Sequence, residues 1–233
     1  MRTFAALLLK EEKAIFTSPI AYVVLSVFLV IMGYTFTLTL FVSHVPTLVH
    51  LFFQIYVLFL LTVPIITMRL VAEERRLRTI EVLLTAPVSE PAVVFAKYLA
   101  SLSLVVLMLV LSGAYALTLG ILGQPDWGPI WSGYLGLFLF SAALVAVGLL
   151  TSSLVGNQVI AALLSLSLFL LLWIIDHFGW MLPDPFDALV VNLSLLVHFT
   201  PFATGSVFLS DAGFFISVAL LGLFLSVRAL ARR

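Results

Sequence analysis

The sequence predicts an all-α polytopic membrane protein with six transmembrane helices, an N-terminal interfacial helix and a helical elbow between the second and third spans. Three observations carry that prediction. Hydrophobic residues fill 63% of the 233 positions and charged residues only 9%, against about 25% charged residues in soluble domains. Six apolar runs, at 20–42, 48–68, 98–122, 130–154, 159–175 and 212–227, contain no Asp, Glu, Lys or Arg, and each approaches the ~20 residues needed to cross the hydrocarbon core. All 11 Lys and Arg residues fall in just three of the intervening segments, which alternation puts on one face of the membrane.

Taken in order, residues 1–17 read as a short amphipathic helix. Phe4, Leu8 and Ile15 point to one side and Lys10, Glu11 and Lys13 to another, as in a helix lying in the interface plane with its charges toward water. The apolar run that follows is too long for a signal-peptide core and is read as a retained span. Turn and helix-stopping residues separate the spans: Ser43-His44-Val45-Pro46, Gly123-Gln124-Pro125-Asp126, Gly156-Asn157-Gln158 and Asp184-Pro185. The segment 176–211 is too long for a simple turn, and its stretch 186–198 is apolar enough for a re-entrant or interfacial helix. The tripeptide Asn192-Leu193-Ser194 matches a glycosylation sequon, a pattern too common by chance to carry weight.

Orientation follows from the bases. Arg2, Lys10 and Lys13 precede the first span; Arg69, Arg75, Arg76, Arg78 and Lys97 lie between the second and third; Arg228, Arg232 and Arg233 follow the sixth. The positive-inside rule makes that face, and both termini, cytoplasmic. Asp126, Asp176, Asp184, Asp187 and Asp211 then face outward, with all four histidines outside or at outer span ends.

The segment 69–97 holds more than topology signals. Leu70, Leu77 and Leu84 recur every seven residues, and Glu74–Arg78 and Arg78–Glu81 are spaced for helical ion pairs. The helix stops near Thr85-Ala86-Pro87, and Ser89 can cap a second one with Pro91 in its first turn. Such a helix–turn–helix elbow would be a rigid knob facing the cytosol; the alternative, which composition alone favours, is a solvated loop whose charges only fix topology.

Function classes narrow mainly by absence. Without cysteine there are no disulfides or thiolate sites. Ion-coupled transporters bury ionisable residues within their spans, and these spans carry none apart from histidine at a span end. Lys10, Lys13 and Lys97 lack the glycine-rich context of a phosphate-binding loop, and no H-E-x-x-H or G-x-S-x-G motif occurs within a span. Catalytic residues and a resident metal are therefore not expected, although Asp176, His177, Met181 and His198 could gather on the outer face. Phe52, Phe53, Gln54 and Tyr56 in the second span are candidates for lining a path. Gly113, Gly133, Gly136 and Gly148 are read as points of close helix contact.

The stretch EERRLRTIEVLLTAPVSEPAVVFAK, from Glu73 to Lys97, resembles the signature of type-2 ABC transporter permeases. Thr79, Ile80, Glu81, Leu83, Leu84, Thr85, Pro87, Val88, Ser89 and Lys97 match that pattern. KEEKAIFTSPIAYVV, from Lys10 to Val24, is similar to the start of that family's first span, and its Ser18-Pro19-Ile20-Ala21-Tyr22 portion resembles the gliding-motility and nitrous-oxide-reductase-maturation branch. A third likeness runs from Val197-His198-Phe199 to Gly205. The chain departs at Arg78, where the family has glycine, and a more continuous helix is expected there.

The resemblance implies a single permease domain over 1–233 that pairs with a second, identical or different, permease subunit around a translocation path. It implies an ABC ATP-binding subunit as partner, with ATP and Mg held there and no cofactor on this chain. Glu73, Glu74, Arg75, Arg76, Thr79 and Glu81 would form the docking surface, Pro87 would set the elbow, and residues 4–16, with Lys10, Glu11 and Lys13, would make a second contact. The expected setting is the cytoplasmic membrane of a bacterium or archaeon, with lipid around the spans, an accessory protein on the outer face, and no nucleic acid. The expected function is the membrane half of an ATP-driven exporter that moves a solute or transmits force across the membrane. The alternative is a membrane scaffold or assembly protein without transport activity.

Overall fold

Apolar runs longer than a bilayer is thick leave helices as the economical way to satisfy the backbone, and helices are what the chain forms. In the computed structural model, which describes residues 2–43, 47–79, 89–179 and 186–231, these are α1 (Arg2–Phe16), α2 (Pro19–Ser43), α3 (Val49–Thr67), α4 (Ala72–Arg76), α5 (Glu90–Leu122), α6 (Trp127–Leu154), α7 (Gln158–Gly179), α8 (Phe186–Val191), α9 (Leu195–Thr204) and α10 (Leu209–Ala231). Six helices among the described residues are long and apolar enough to span a membrane, as the sequence predicts.

α6 is the hub. It packs against α3, α5, α7, α9 and α10, and most of its surface is buried inside the bundle. The Asp126 carboxylate accepts a hydrogen bond from Gly128 N at its start, an N-cap that satisfies one free donor. Aromatic rings fill the space around it: Tyr56 stacks on Phe140 and Phe199 with centroids 4.3 and 5.1 Å apart, and Phe215 meets Phe140 edge-on. Side-chain hydroxyls tie helices to one another, from Tyr115 to Leu29 O, Tyr98 to Ala142 O and Ser132 to Phe202 O. α2 and α7 bury little within this chain.

Three of the four glycines expected at close helix contacts are there. A Cβ on Gly148 would lie 2.3 Å from Thr67 Oγ1, and Cβ atoms on Gly133 and Gly136 would collide with Phe52 and Phe202. Gly113 is the exception, with nothing within 4 Å of a Cβ. Gly222 makes a further close contact, against the Ala146 backbone.

The elbow differs from expectation in three respects. The second span does not run on as a helix: α3 ends at Thr67, a turn covers 68–71, and α4 is a separate short helix. The break is held by Ser152 of α6, whose hydroxyl donates to Met68 O and accepts from Val71 N and Ala72 N, at 3.0, 3.1 and 3.1 Å. Leu70 is consequently buried while Leu77 is 62% exposed, so the seven-residue spacing marks no common face.

Second, Arg78 does not prolong the helix. Its φ of 57° is left-handed, the conformation that glycine adopts most cheaply after a helix end. Arginine bears a Cβ penalty of about 1–2 kcal/mol there, partly offset by its lower unfolded-state freedom. Arg78→Gly is therefore expected to stabilise the protein by about 0.5–1 kcal/mol, visible as a raised midpoint in denaturant or thermal unfolding. An unchanged or lowered midpoint would count against the strain.

Third, the expected second elbow helix and the third span are one rod. α5 starts from Ser89 and runs 33 residues, roughly 50 Å, well beyond a ~30 Å hydrocarbon core. Lys97 thus sits two turns inside that rod, not at the opening of a separate span. The stretch 80–88, with Glu81 and Pro87, lies outside the described residues.

At the opposite end, the helix expected over 186–198 is split into α8 and α9. Ser194 of the sequon-like tripeptide is the N-cap of α9, its hydroxyl accepting from Leu196 N and Val197 N. Gly205 closes α9 with φ 100°, a left-handed C-cap for which a residue without Cβ is suited.

Candidate functional site: a charge-tied junction at the basic end

α1 lies along α5, with Leu7, Glu11 and Ile15 on its buried face at four-residue spacing. Placing Glu11 with Lys10 and Lys13 on a water-facing side is therefore corrected: Glu11 points inward. The reason is Lys97, only 2% exposed, whose ammonium donates to Glu11 Oε2 at 3.1 Å and pairs with Glu74 Oε1 of α4 at 2.8 Å. Lys10 bridges the same two carboxylates from the surface, 3.2 Å from Glu11 and 3.7 Å from Glu74.

Three segments far apart in sequence thus share one buried cation. A lysine held out of water is tolerable only with its charge compensated, and two carboxylates surround this one. Breaking such a buried pair by removing one partner costs about 3–5 kcal/mol. Beside the cluster, Arg69, Leu70, Glu73 and Leu77 complete the wall of a cavity of about 310 Å3.

The other expected docking residues are distributed around this junction. Arg75 donates from Nη2 to Ala229 O at 3.1 Å, clasping α4 to the last turn of α10. Glu73 is half-buried, Arg76 and Lys13 are exposed, and Thr79 is exposed with its hydroxyl toward Glu74 O at 3.4 Å. Of the path-lining candidates, Phe52 and Tyr56 are buried in the aromatic core, while Phe53 and Gln54 are half-buried.

The histidines expected near the opposite face do not assemble a metal site among the described residues: no three potential ligands cluster there. Met181 lies outside those residues. His198 instead engages Asp211 and the Asn192 carbonyl.

Sequence reasoning missed two participants. Lys97 entered as a topology-fixing base and a motif match, not as a buried cation, because its carboxylate partners come from α1 and α4. Ser152 carried no signal, being one of three consecutive polar residues at the end of an apolar run. Ser152→Ala strands two backbone donors and one acceptor in the interior. A loss of about 2–4 kcal/mol follows from the cost per unsatisfied group. It is measurable by denaturant unfolding in detergent and by faster amide exchange at 71 and 72; unaltered exchange there would remove Ser152 from the account of the break.

Six spans, one of them the central α6, with one end tied together by charge, define a polytopic integral membrane protein. Residues 43–227 match the family model described as ABC-2 family transporter protein. That is well over half of the chain, which belongs to this family of transmembrane ABC transporter subunits. No curated protein matches it.

Proposed function

We propose that this chain is the membrane subunit of an ATP-driven exporter and that the basic end receives the force of a separate ATP-binding cassette subunit. The carrying observation is the Lys97 junction, which joins α1 and α4 to the same rod, α5. Displacement of either short helix would be passed to α5 and, through Ser152 and Arg75, to α6 and α10. The excess of Lys and Arg supports a cytoplasmic location for this end and for both termini, in a bacterial or archaeal cytoplasmic membrane.

On this reading the exposed Lys13, Arg76, Leu77 and Thr79 meet the ATPase, together with Glu81 and the elbow at Pro87. ATP and Mg belong to that partner, and this chain holds no cofactor. The poorly buried faces of α2 and α7 suit a second permease subunit or lipid, and the half-buried Phe53 and Gln54 face the path. The Ser18–Tyr22 stretch favours the gliding-motility and nitrous-oxide-reductase-maturation branch, whose members could transmit force to an outer-face protein.

The test is affinity purification from native membranes in mild detergent or nanodiscs, with mass spectrometry of what remains bound. Near-equimolar recovery of an ATP-binding cassette protein, with ATPase activity raised by this chain, is expected. Reproducible absence of any ATPase would replace the exporter by a scaffold.

A further inference from the structure

We infer that His198 and Asp211 form a proton-operated latch at the acid-rich end of the bundle, holding the start of α9 against the last span. His198 Nδ1 lies 2.8 Å from Asp211 Oδ1 on α10, and Nε2 lies 3.0 Å from the carbonyl oxygen of Asn192 in the turn between α8 and α9. A carboxylate and a carbonyl offer only lone pairs. Both contacts are hydrogen bonds at once only when the pair holds two protons, one on Nε2 and one between Nδ1 and Oδ1. Remove one and a ring lone pair faces an oxygen lone pair at one of the two contacts. Both side chains are largely buried, at 12% and 11% exposure, so water is poorly placed to repair the loss.

Aromatic rings hold the imidazole in place. His198 stacks on Phe214, centroids 4.0 Å apart and 21° from parallel, with Phe215 edge-on at 6.5 Å. A cation over an aromatic face is attracted by the ring's quadrupole. Histidine is also the side chain that ordinarily changes charge between pH 5 and 8. The sign follows: the contact that depends on the bound proton is present in acid and lost as pH rises.

The latch joins three pieces, the 192–193 turn, α9 and α10, and its release would be local. The far half of α9 is pinned separately, by Ser132 donating to Phe202 O at 2.8 Å and by Phe199 in the aromatic core. Loosening would free the α8–α9 turn while the bundle stayed folded. Other titratable groups near this end are His50 of α3, Asp126 at the start of α6, Tyr134 of α6 and His177 of α7, elements packed on α9, and Asp187 of the preceding α8. If the basic end is cytoplasmic, as proposed above, this mouth faces outward and responds to external pH; the latch itself does not depend on that orientation.

The chain has no cysteine, so Leu193→Cys, at a position 50% exposed, supplies a single thiol for a nitroxide label. Electron spin resonance spectra of this protein in nanodiscs, taken from pH 5 to 8, are expected to pass from immobilised to mobile along a one-proton curve. The transition should vanish with His198→Gln and with Asp211→Asn, either of which suffices if the other fails to fold. A label equally mobile at pH 5 and 8 would overturn the latch. So would a transition surviving both substitutions, which would assign it to the other titratable groups. Because the readout uses no ATPase, it separates this inference from the exporter reading.

Discussion

Lys97→Met is expected to lower stability by about 3–5 kcal/mol and to abolish any stimulation of a partner ATPase. Lys97 faces Glu11 of α1 and Glu74 of α4 at 3.1 and 2.8 Å. Without its charge, two carboxylates from different helices would be left facing each other with only the exposed Lys10 near both. Like charges in a poorly solvated site repel or take up protons, and α1 and α4 would part from α5. The companion variant makes the argument testable. Adding Glu11→Met and Glu74→Met to Lys97→Met removes the stranded charges and should recover most of the stability, since replacing a whole buried ionic group by well-packed apolar residues is often nearly neutral. Denaturant unfolding measures both. Equal losses in the single and triple variants would mean that packing, not charge, holds the junction. Stability restored without ATPase stimulation would separate a coupling role from a merely structural one.

Gly148→Leu is expected to be the most damaging single change within the spans, preventing accumulation of folded protein. Even the first added atom would sit 2.3 Å from Thr67 Oγ1 and 2.9 Å from its Cβ. Thr67 is fully buried and its hydroxyl is committed to Val63 O at 2.9 Å, so it has no empty space to turn into. Overpacking of this kind costs about 1–3 kcal/mol for small increments, which makes Gly148→Ala the measurable version. The damage would travel: Ser152, one turn further along α6, holds the backbone at 68, 71 and 72, and α4 with Glu74 follows directly. A double-mutant cycle of Gly148→Ala with Thr67→Ala should show favourable coupling, because removing the hydroxyl and methyl clears the nearest atoms. Strict additivity of the two costs would dismiss the contact.

The readings that succeeded and those that failed differ in the range of the interactions behind them. The break at 123–126 between two spans and the helix that starts after Ser89 with Pro91 in its first turn are decided by immediate neighbours, and both are as the sequence suggests. Arg78 is a good helix former by intrinsic preference, yet it takes the left-handed turn. The chain has already been bent at 68–71 by a serine 81 to 84 positions away. Glu11 reads as part of a charged, water-facing stripe until Lys97 is seen beneath it. Gly113 and Gly148 look alike in sequence; only the neighbour across the helix distinguishes an open site from a close contact. Ser194 looked like part of a chance sequon and is a helix cap.

Membership in the ABC-2 family accords with the signature between Glu73 and Lys97, while the match over residues 43–227 extends well beyond it. The signature's middle lies outside the described residues, but its flanks are not. Glu73 and Glu74 begin a short helix, and Lys97 joins it to α1. Of the residues that the motif presents as a docking surface, Glu74 and Arg75 make internal contacts while Arg76 and Thr79 are exposed.

The number of spans, their order and the concentration of bases on three segments were determined by the sequence alone. Partition into hydrocarbon is a sum over residues, and a run of twenty apolar side chains has the same preference whatever surrounds it. Where the helices break, which charges are buried together and which glycines are pressed were decided by the tertiary structure. Each of those outcomes needs a partner contributed by another part of the chain: Ser152 for the break after α3, Lys97 for Glu11 and Glu74, Thr67 for Gly148, Asp211 for His198. Short-range electrostatics and packing act over a few ångströms of space, and only the folded chain brings such residues within that distance.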